Sequence, residues 1–243
     1  MIIILKINNL TKTYSKGTVK AVDNLTLETQ PGEIIGFLGP NGAGKSTAIK
    51  CLTGILPFEE GHINICGFDL KEEPIKAKNC IGYVPDSYII YDKLSGNEYL
   101  NFICDVYDVP NSERFDRADK YVKLFDLKEA INSPIKSYSH GMKQKISIIG
   151  ALIHEPKLWV LDEPLTGLDP KSAYDLKILM REHVSKGNTV FFSSHVLDVV
   201  EKVCDRVAII DKGKLISICT MKELKEKRSE LSLEEFFLSI TKE

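Results

Sequence analysis

Two rhythms of apolar residues divide this chain. Residues 2–9 and 19–29 alternate apolar and polar positions, as a strand with one covered face does, and a turn around Lys16-Gly17 joins them. Residues 61–66 repeat the alternation more briefly, so a small antiparallel sheet is expected. Continuous apolar runs, the mark of strands buried on both faces, occur at Glu33–Leu38, Leu158–Leu161, Thr189–Phe192 and Val207–Ile210, and Ile81–Val84 is a shorter strand stopped by Pro85. From about Lys93 to Ala130 the spacing becomes helical. Asn97 to Tyr107, Glu113 to Phe125 and Lys128-Glu129-Ala130 carry it, with Ser95 and Ser112 as caps. Helices between the later apolar runs complete βαβ units, so the expected class is α/β with a mostly parallel core sheet. Residues 221–243 predict one or two amphipathic helices.

Composition narrows this further. With 243 residues, 43% of them hydrophobic and 27% charged, the chain can bury a proper core. The net charge of −2 gives no basic field that points to a nucleic-acid partner. No apolar run approaches the ~18 residues of a membrane span. Met1 to Lys6 is apolar but too short for a signal peptide and is expected to continue as strand. Cys51, Cys66, Cys80, Cys104, Cys204 and Cys219 show no C-x-x-C spacing, which argues against structural zinc and for free thiols in a reducing cytosol.

The candidate chemistry begins at Gly39-Pro40-Asn41-Gly42-Ala43-Gly44-Lys45-Ser46-Thr47, which fits the phosphate loop G-x-x-x-x-G-K-[ST]. It lies between the 33–38 strand and a helix expected over Ser46 to Leu56, the strand–loop–helix order the motif requires. Gly42 and Gly44 let the backbone turn its N–H groups inward as an anion nest, and the helix start adds its positive dipole end. Lys45 is expected to reach the β- and γ-phosphates, the Ser46 hydroxyl to bind Mg²⁺, and Thr47 to contact the α-phosphate side. A second element is the apolar strand that ends in Asp162-Glu163. The end of a strand in an α/β sheet is where ligands sit, so Asp162 is expected to hold Mg²⁺ beside Ser46 through a water and Glu163 to polarise the attacking water. Trp159, inside that strand, reads as core. A third element, Ser137 to Lys145, is a helix start with Ser139 as its cap and Gly141 allowing close approach; on its own it signifies only a capped helix.

Taken in order, the phosphate loop, Ser139-His140-Gly141-Met142, Leu161-Asp162-Glu163-Pro164, Gly167-Leu168-Asp169-Pro170 and an isolated His195 after a strand resemble the ATP-binding cassette superfamily, specifically the nucleotide-binding subunit of a transporter. The resemblance covers roughly residues 2–220. It implies a P-loop NTPase (RecA-like) core with the antiparallel sheet and a helical subdomain inserted at about 88–145, followed by a short helical tail over 221–243. It also implies an Mg²⁺-dependent ATPase coupled to transmembrane transport, working as a head-to-tail pair of subunits with two ATP between them. Ser139, His140 and Gly141 would contact the γ-phosphate of ATP on the other subunit's phosphate loop. The loop from Gly167 to Asp169 would cross the interface, His195 would touch the γ-phosphate and Glu163, and Tyr14 would stack on adenine.

Two positions depart from the family pattern. His140 and Met142 replace the usual glycine and glutamine, which puts a side chain at the second signature position. Asp86 replaces a glutamine or glutamate that touches Mg²⁺ and senses the membrane subunit, so it is expected to reach the ion through a water. The partners implied are a second such subunit and a polytopic permease, at the cytoplasmic face of the membrane. Leu233-Glu234-Glu235-Phe236-Phe237 resembles export-type members that move drugs, antibiotic peptides, lipids or polysaccharides, and no long C-terminal regulatory domain of the importer kind is expected. Two other readings fit less well. Soluble cassette ATPases of repair or translation carry a long coiled coil or a second cassette, and guanine-nucleotide enzymes carry an Asn-Lys-x-Asp reader; neither feature occurs.

Overall fold

The computed structural model describes residues 3–14, 19–86, 91–227 and 235. The turn at Lys16-Gly17, residues 88–90 of the expected helical insertion and, apart from Glu235, the segment Leu233 to Phe237 lie outside those residues.

Two sheets form. In the first, β1 (Leu5–Tyr14) runs antiparallel to β2 (Val19–Glu28) on one side and to β4 (Glu60–Ile65) on the other, and β5 (Phe68–Asp69) extends the edge, giving the order β2-β1-β4-β5. The second has the order β10-β9-β3-β8-β7-β6, built from β3 (Ile34–Leu38), β6 (Ile81–Val84), β7 (Leu158–Asp162), β8 (Thr189–Ser194), β9 (Arg206–Asp211) and β10 (Lys214–Thr220). All its pairings are parallel except that of β10 with β9.

Continuous apolar runs are needed here because both faces of the second sheet are covered. Along β7, Leu158 and Val160 join the cluster shared with the antiparallel sheet, whereas Trp159 and Leu161 join the cluster under the helices. Phe191 and Phe192 of β8 divide in the same way, as do Ala208 and Ile209 of β9. Trp159 is fully buried, as expected of core. Each large apolar side chain buried in this way contributes about 1.5–3 kcal/mol relative to exposure.

The helices deviate from the sequence expectation in instructive places. The helix after the phosphate loop, α1 (Lys45–Leu52), ends before Leu56. Gly54 takes φ 68°, and the N–H groups of Ile55 and Gly54 return to the carbonyls of Lys50 (2.9 Å) and Cys51 (3.0 Å), a Schellman stop. A short α2 (Pro74–Asn79) has only Ala77 buried. In the helical insertion, α3 (Gly96–Val106) starts at Ser95 with a full capping box closed by Glu98. In contrast, α4 (Asn111–Leu124) has Pro110 at its N-cap, so Ser112 lies inside the first turn and caps nothing. Lys128, Glu129 and Ala130 form turn, not helix, because Asp126 at φ 54° breaks the chain direction after Phe125. The remaining helices are α5 (His140–Leu152), α6 (Pro170–Ser185), α7 (Leu197–Val203) and α8 (Met221–Lys227).

Because β3, β6, β7 and β8 run parallel, their carboxyl ends gather at one edge. The phosphate loop leaves β3 there, Asp86 follows β6, Glu163 follows β7 and His195 follows β8. The capping box gives a direct check on the insertion. Ser95→Ala should lower stability by about 1 kcal/mol in urea denaturation, with nucleotide affinity unchanged.

Candidate functional site

The loop between β3 and α1 is shaped by its backbone. Gly44 stands at the N-cap of α1 with φ 102°, and no side chain caps the helix, so its first N–H groups face an open space. A Cβ on Gly44 would come within 2.2 Å of the Ala21 carbonyl oxygen, so only glycine fits between β2 and the loop. The loop is braced from behind. Gly213, in the turn between β9 and β10, donates its N–H to the Ala43 carbonyl at 2.9 Å and accepts the Asp23 N–H at 2.9 Å. Lys45 is 7% exposed, and its ammonium donates to the carbonyls of Gly39 (2.6 Å) and Pro40 (3.1 Å). Burial pushes its pKa down, against the pull of the Glu163 and Asp162 carboxylates.

At the end of β7, Asp162 is fully buried. The Ser193 hydroxyl donates to its Oδ1 at 2.5 Å, while Oδ2 is buried with no hydrogen-bond partner. Burial raises its pKa; the Ser193 and Ser46 hydroxyls pull it back, and the charges of Asp86 and Glu163 raise it again. The next residue, Glu163, sits at φ 51°, a left-handed conformation that costs a non-glycine residue about 1–2 kcal/mol. Its N–H donates to the same Ser193 hydroxyl at 3.2 Å. Its side chain turns to His195, whose Nδ1 lies 3.0 Å from Glu163 Oε1. The Ser194 hydroxyl accepts the Val196 N–H at 3.0 Å and so shapes the turn that carries His195.

Of these groups Gly44, Lys45, Glu163 and His195 line one cavity of about 330 Å³, whereas Asp162 and Ser193 lie outside its lining. Asn41, Gly42, Gly44, Lys45, Ser46 and Thr47 line it from the loop, and Ala21, Asp86, Glu163 and His195 line it from the other strands. Gly39 and Ala43 act behind the lining, through the carbonyls described above. Tyr14, at the end of β1, is 41% exposed and outside this lining; the Lys12 ammonium is 5.6 Å from its ring centroid.

The serine-capped helix forms a second, separate cluster. Ser139 caps α5 and accepts the Met142 N–H at 3.3 Å. Gln144, almost fully buried, donates to the Pro164 carbonyl at 2.9 Å, so α5 is tied to the turn after Glu163. His140 packs over Gly167, where a Cβ would lie 2.2 Å from the imidazole Cδ2. Asp169 caps α6 by accepting the Ser172 N–H at 2.9 Å, and the Lys145 ammonium is 3.0 Å from its Oδ2. The Ser172 bonds and Lys145 hold its carboxyl well below the usual range. None of Ser139, His140, Gly141 or Asp169 lines the phosphate-loop cavity. One chain therefore holds two separate clusters of the residues expected at the site. Sequence reasoning did not single out Ser193, Gln144, Ala21 or Gly213; each acts through a contact between segments far apart in the chain.

Residues 22–166 match the family model for the ABC transporter. The linearmycin resistance ATP-binding protein LnrL of Bacillus subtilis is 37% identical over 91% of this chain and 70% of its own length. The ABC transporter ATP-binding protein NatA of the same organism is 32% identical over 92% of both chains. Among solved structures, an ATP-binding subunit of an ABC transporter superposes with a TM-score of 0.92 at 29% identity, covering 98% of this chain and 99% of that one. A dimeric ATP-binding cassette in a post-hydrolysis state, bound to ADP and Pi, superposes with a TM-score of 0.82 at 25% identity over 90% of this chain and 99% of that one.

The shared Ser193 hydroxyl has a measurable signature. Ser193→Ala removes a bond that favours the charged form of Asp162, so the Asp162 titration midpoint, followed by carboxyl-carbon NMR, should move up; an unchanged or lowered midpoint would contradict this role of the hydroxyl.

Proposed function

This chain belongs to the ABC transporter family as an ATP-binding, ATP-hydrolysing subunit, and on that premise we propose that two copies close around two ATP molecules to drive a separate membrane permease. The observation that carries this reading is the division into two half-sites. The phosphate loop, Asp86, Glu163 and His195 share a cavity, whereas the α5 tip lies outside it. In a head-to-tail pair the Ser139–Gly141 tip of one copy caps the open cavity of the other, with Asp169 at the crossing. His140, turned onto Gly167, leaves Ser139 and the Gly141 backbone to meet the γ-phosphate.

Within the cavity, Tyr14 stacks on adenine at the mouth, and the loop N–H groups and Thr47 hold the phosphates. Lys45 exchanges the carbonyls of Gly39 and Pro40 for the β- and γ-phosphates. The chain also fits Mg²⁺. Asp162 Oδ2 is buried without a protein partner, the Ser46 hydroxyl is close by, and Asp86 lines the same cavity. No cluster of three or more metal-ligating side chains occurs among the described residues, as suits an ion that takes most of its oxygens from phosphate and water. When bound, Mg²⁺ supplies positive charge against the phosphate oxygens. Asp86 is short enough to reach it through a water. Glu163 orients the attacking water and accepts its proton; its strained backbone and the Ser193 bond fix where the carboxylate points. His195 holds Glu163 from the far side and donates toward the γ-phosphate, and Lys45 stabilises the developing charge. Loss of the γ-phosphate removes the bridge between the copies, and the pair reopens.

The permease contact falls on the helical insertion. Tyr91 and Phe102 meet edge to face at 5.2 Å, and both are exposed. With Asp92, Lys93 and Leu94 they line an apolar groove of about 540 Å³ on the side of the chain that follows Asp86. A cytoplasmic helix of the permease seated there would feel the state of Asp86. No helix among the described residues is long and apolar enough to cross a membrane, which suits a peripheral subunit held at the cytoplasmic face through the permease. The names of LnrL and of a probable multidrug protein of Escherichia coli, 33% identical over 91% of this chain, favour export of a drug-like or antibiotic cargo.

Two experiments test this. Glu163→Gln should keep ATP affinity and form nucleotide-dependent dimers, while single-turnover hydrolysis falls by about 10²-fold or more; near-normal turnover removes Glu163 from the mechanism. Lys45→Ala and Ser139→Arg should each abolish ATPase activity alone. Mixed, they should regain it, because the mixed pair holds one site with both halves intact. No recovery on mixing would mean that the two half-sites do not meet across copies.

A further inference from the structure

A cleft of about 800 Å³ lies between α3 and α4, bounded at one end by the turn over residues 128–132. It is larger than the phosphate-loop cavity of about 330 Å³, and it shares no lining residue with that cavity or with the groove at Tyr91 and Phe102. Its walls are held in place by bonds within the chain. Arg117 of α4 donates to the Ile153 carbonyl at 3.0 Å, and Arg114 donates to the Val109 carbonyl at 2.8 Å. At the start of α3 the Asn97 N–H donates to the Ile131 carbonyl at 2.9 Å. The cleft is therefore a fixed feature of the insertion, with a volume that suits a small-molecule ligand.

Its lining changes character along α4. Phe115, near the start of that helix, is 75% exposed, the most exposed large apolar side chain among the described residues. Leu100, Val122 and Ile153, all buried, make the floor. Eight positions beyond Phe115, about 12 Å along the helix axis, the lining becomes polar and positive. Lys123 stands there, with Lys128 from the following turn and the carboxamides of Asn97 and Asn132. Three cations line the cleft against one carboxylate, Asp119, so an anion is favoured over a cation. The cations are not equally available. Arg114, at the Phe115 end, is engaged by Asp105 at 2.5 Å, and Lys123 by Asp119 at 2.6 Å. Lys128 is exposed and makes no ion pair among the described residues, and the side chains of Asn97 and Asn132 make no hydrogen bond there. One end of the cleft thus offers donors without acceptors, and the other an uncovered aromatic ring.

We infer that this cleft binds an elongated amphipathic organic anion. Its apolar ring lies on Phe115 and over the apolar floor, and its anionic group lies at Lys128, where the Asn97 and Asn132 carboxamides donate to the anion's oxygens. The site is independent of the nucleotide chemistry proposed above, because the two cavities have no lining residue in common.

The test uses the full chain and 8-anilinonaphthalene-1-sulfonate, an aromatic anion, with saturating MgADP present to fill the phosphate-loop cavity. Fluorescence titration should show one site per chain, and methyl NMR should place the shifts at Leu100, Val122 and Ile131. Lys128→Glu and Phe115→Ser, both at exposed positions, should each weaken binding about tenfold or more. The neutral N-phenyl-1-naphthylamine, which lacks the sulfonate, should bind the wild-type chain about tenfold more weakly. Loss of binding in MgADP, shifts scattered over the surface or centred on Leu94, equal or tighter binding of the neutral probe, or unchanged affinity in either variant would each overturn the assignment. The comparison of the two probes on the wild-type chain decides the question even if a variant fails to fold.

Discussion

Parallel pairing is the constraint on which the rest of this molecule depends. Five strands in one direction deliver their carboxyl ends to a single edge, and only there can residues as distant in sequence as Lys45, Asp86, Glu163 and His195 face one cavity. The same pairing requires both faces of the sheet to be covered, which accounts for the uninterrupted apolar runs of β3, β7, β8 and β9. It also means that the polar residues at strand ends are buried near one another. Asp162 and Ser193 are both fully buried and lie on adjacent strands in register. A charge so placed needs a partner, and the hydroxyl of Ser193 meets that need while holding the next residue in a strained turn.

Much of this was legible in the chain because the signals are local. A glycine-rich turn between an apolar strand and a helix, a carboxylate pair closing a strand and a serine before a helix each declare themselves within ten residues. The parts that escaped notice are contacts across the fold. Gln144 and Pro164 are twenty residues apart, Ser193 and Asp162 are thirty-one, and the Asp205 carboxylate that receives the Ile34 N–H lies 171 residues away. Local signals also misled where a weak preference met a stronger one. Ser112 is a good cap residue, but Pro110 begins the helix two positions earlier, with its missing N–H already accommodated. The helical spacing through Lys128 to Ala130 lost to the left-handed Asp126. The short α2, β5 and β10 bury too little to leave a periodic trace.

In the proposed pair the two clusters would divide the electrostatic work. The cavity offers backbone N–H groups, one lysine and a helix start to a polyanion. The α5 tip is fixed to the turn after Glu163 by Gln144 and to the next loop by Lys145 and Asp169. Both are fastened to the turn that follows β7, which Glu163 opens and whose Pro164 carbonyl holds Gln144 of α5.

The position of β3 has a consequence for how the chain comes off the ribosome. This strand, which carries the phosphate loop, spans residues 34–38, but its two neighbours are β8 and β9, at residues 189–211. The turn that braces the loop, at Gly213, emerges later still. During synthesis the glycine loop must therefore wait, unpaired on both sides, for some 150 further residues of nascent chain, a contact order that makes early folding of this region slow. Until then an apolar strand stands without its two neighbours beside a half-built sheet.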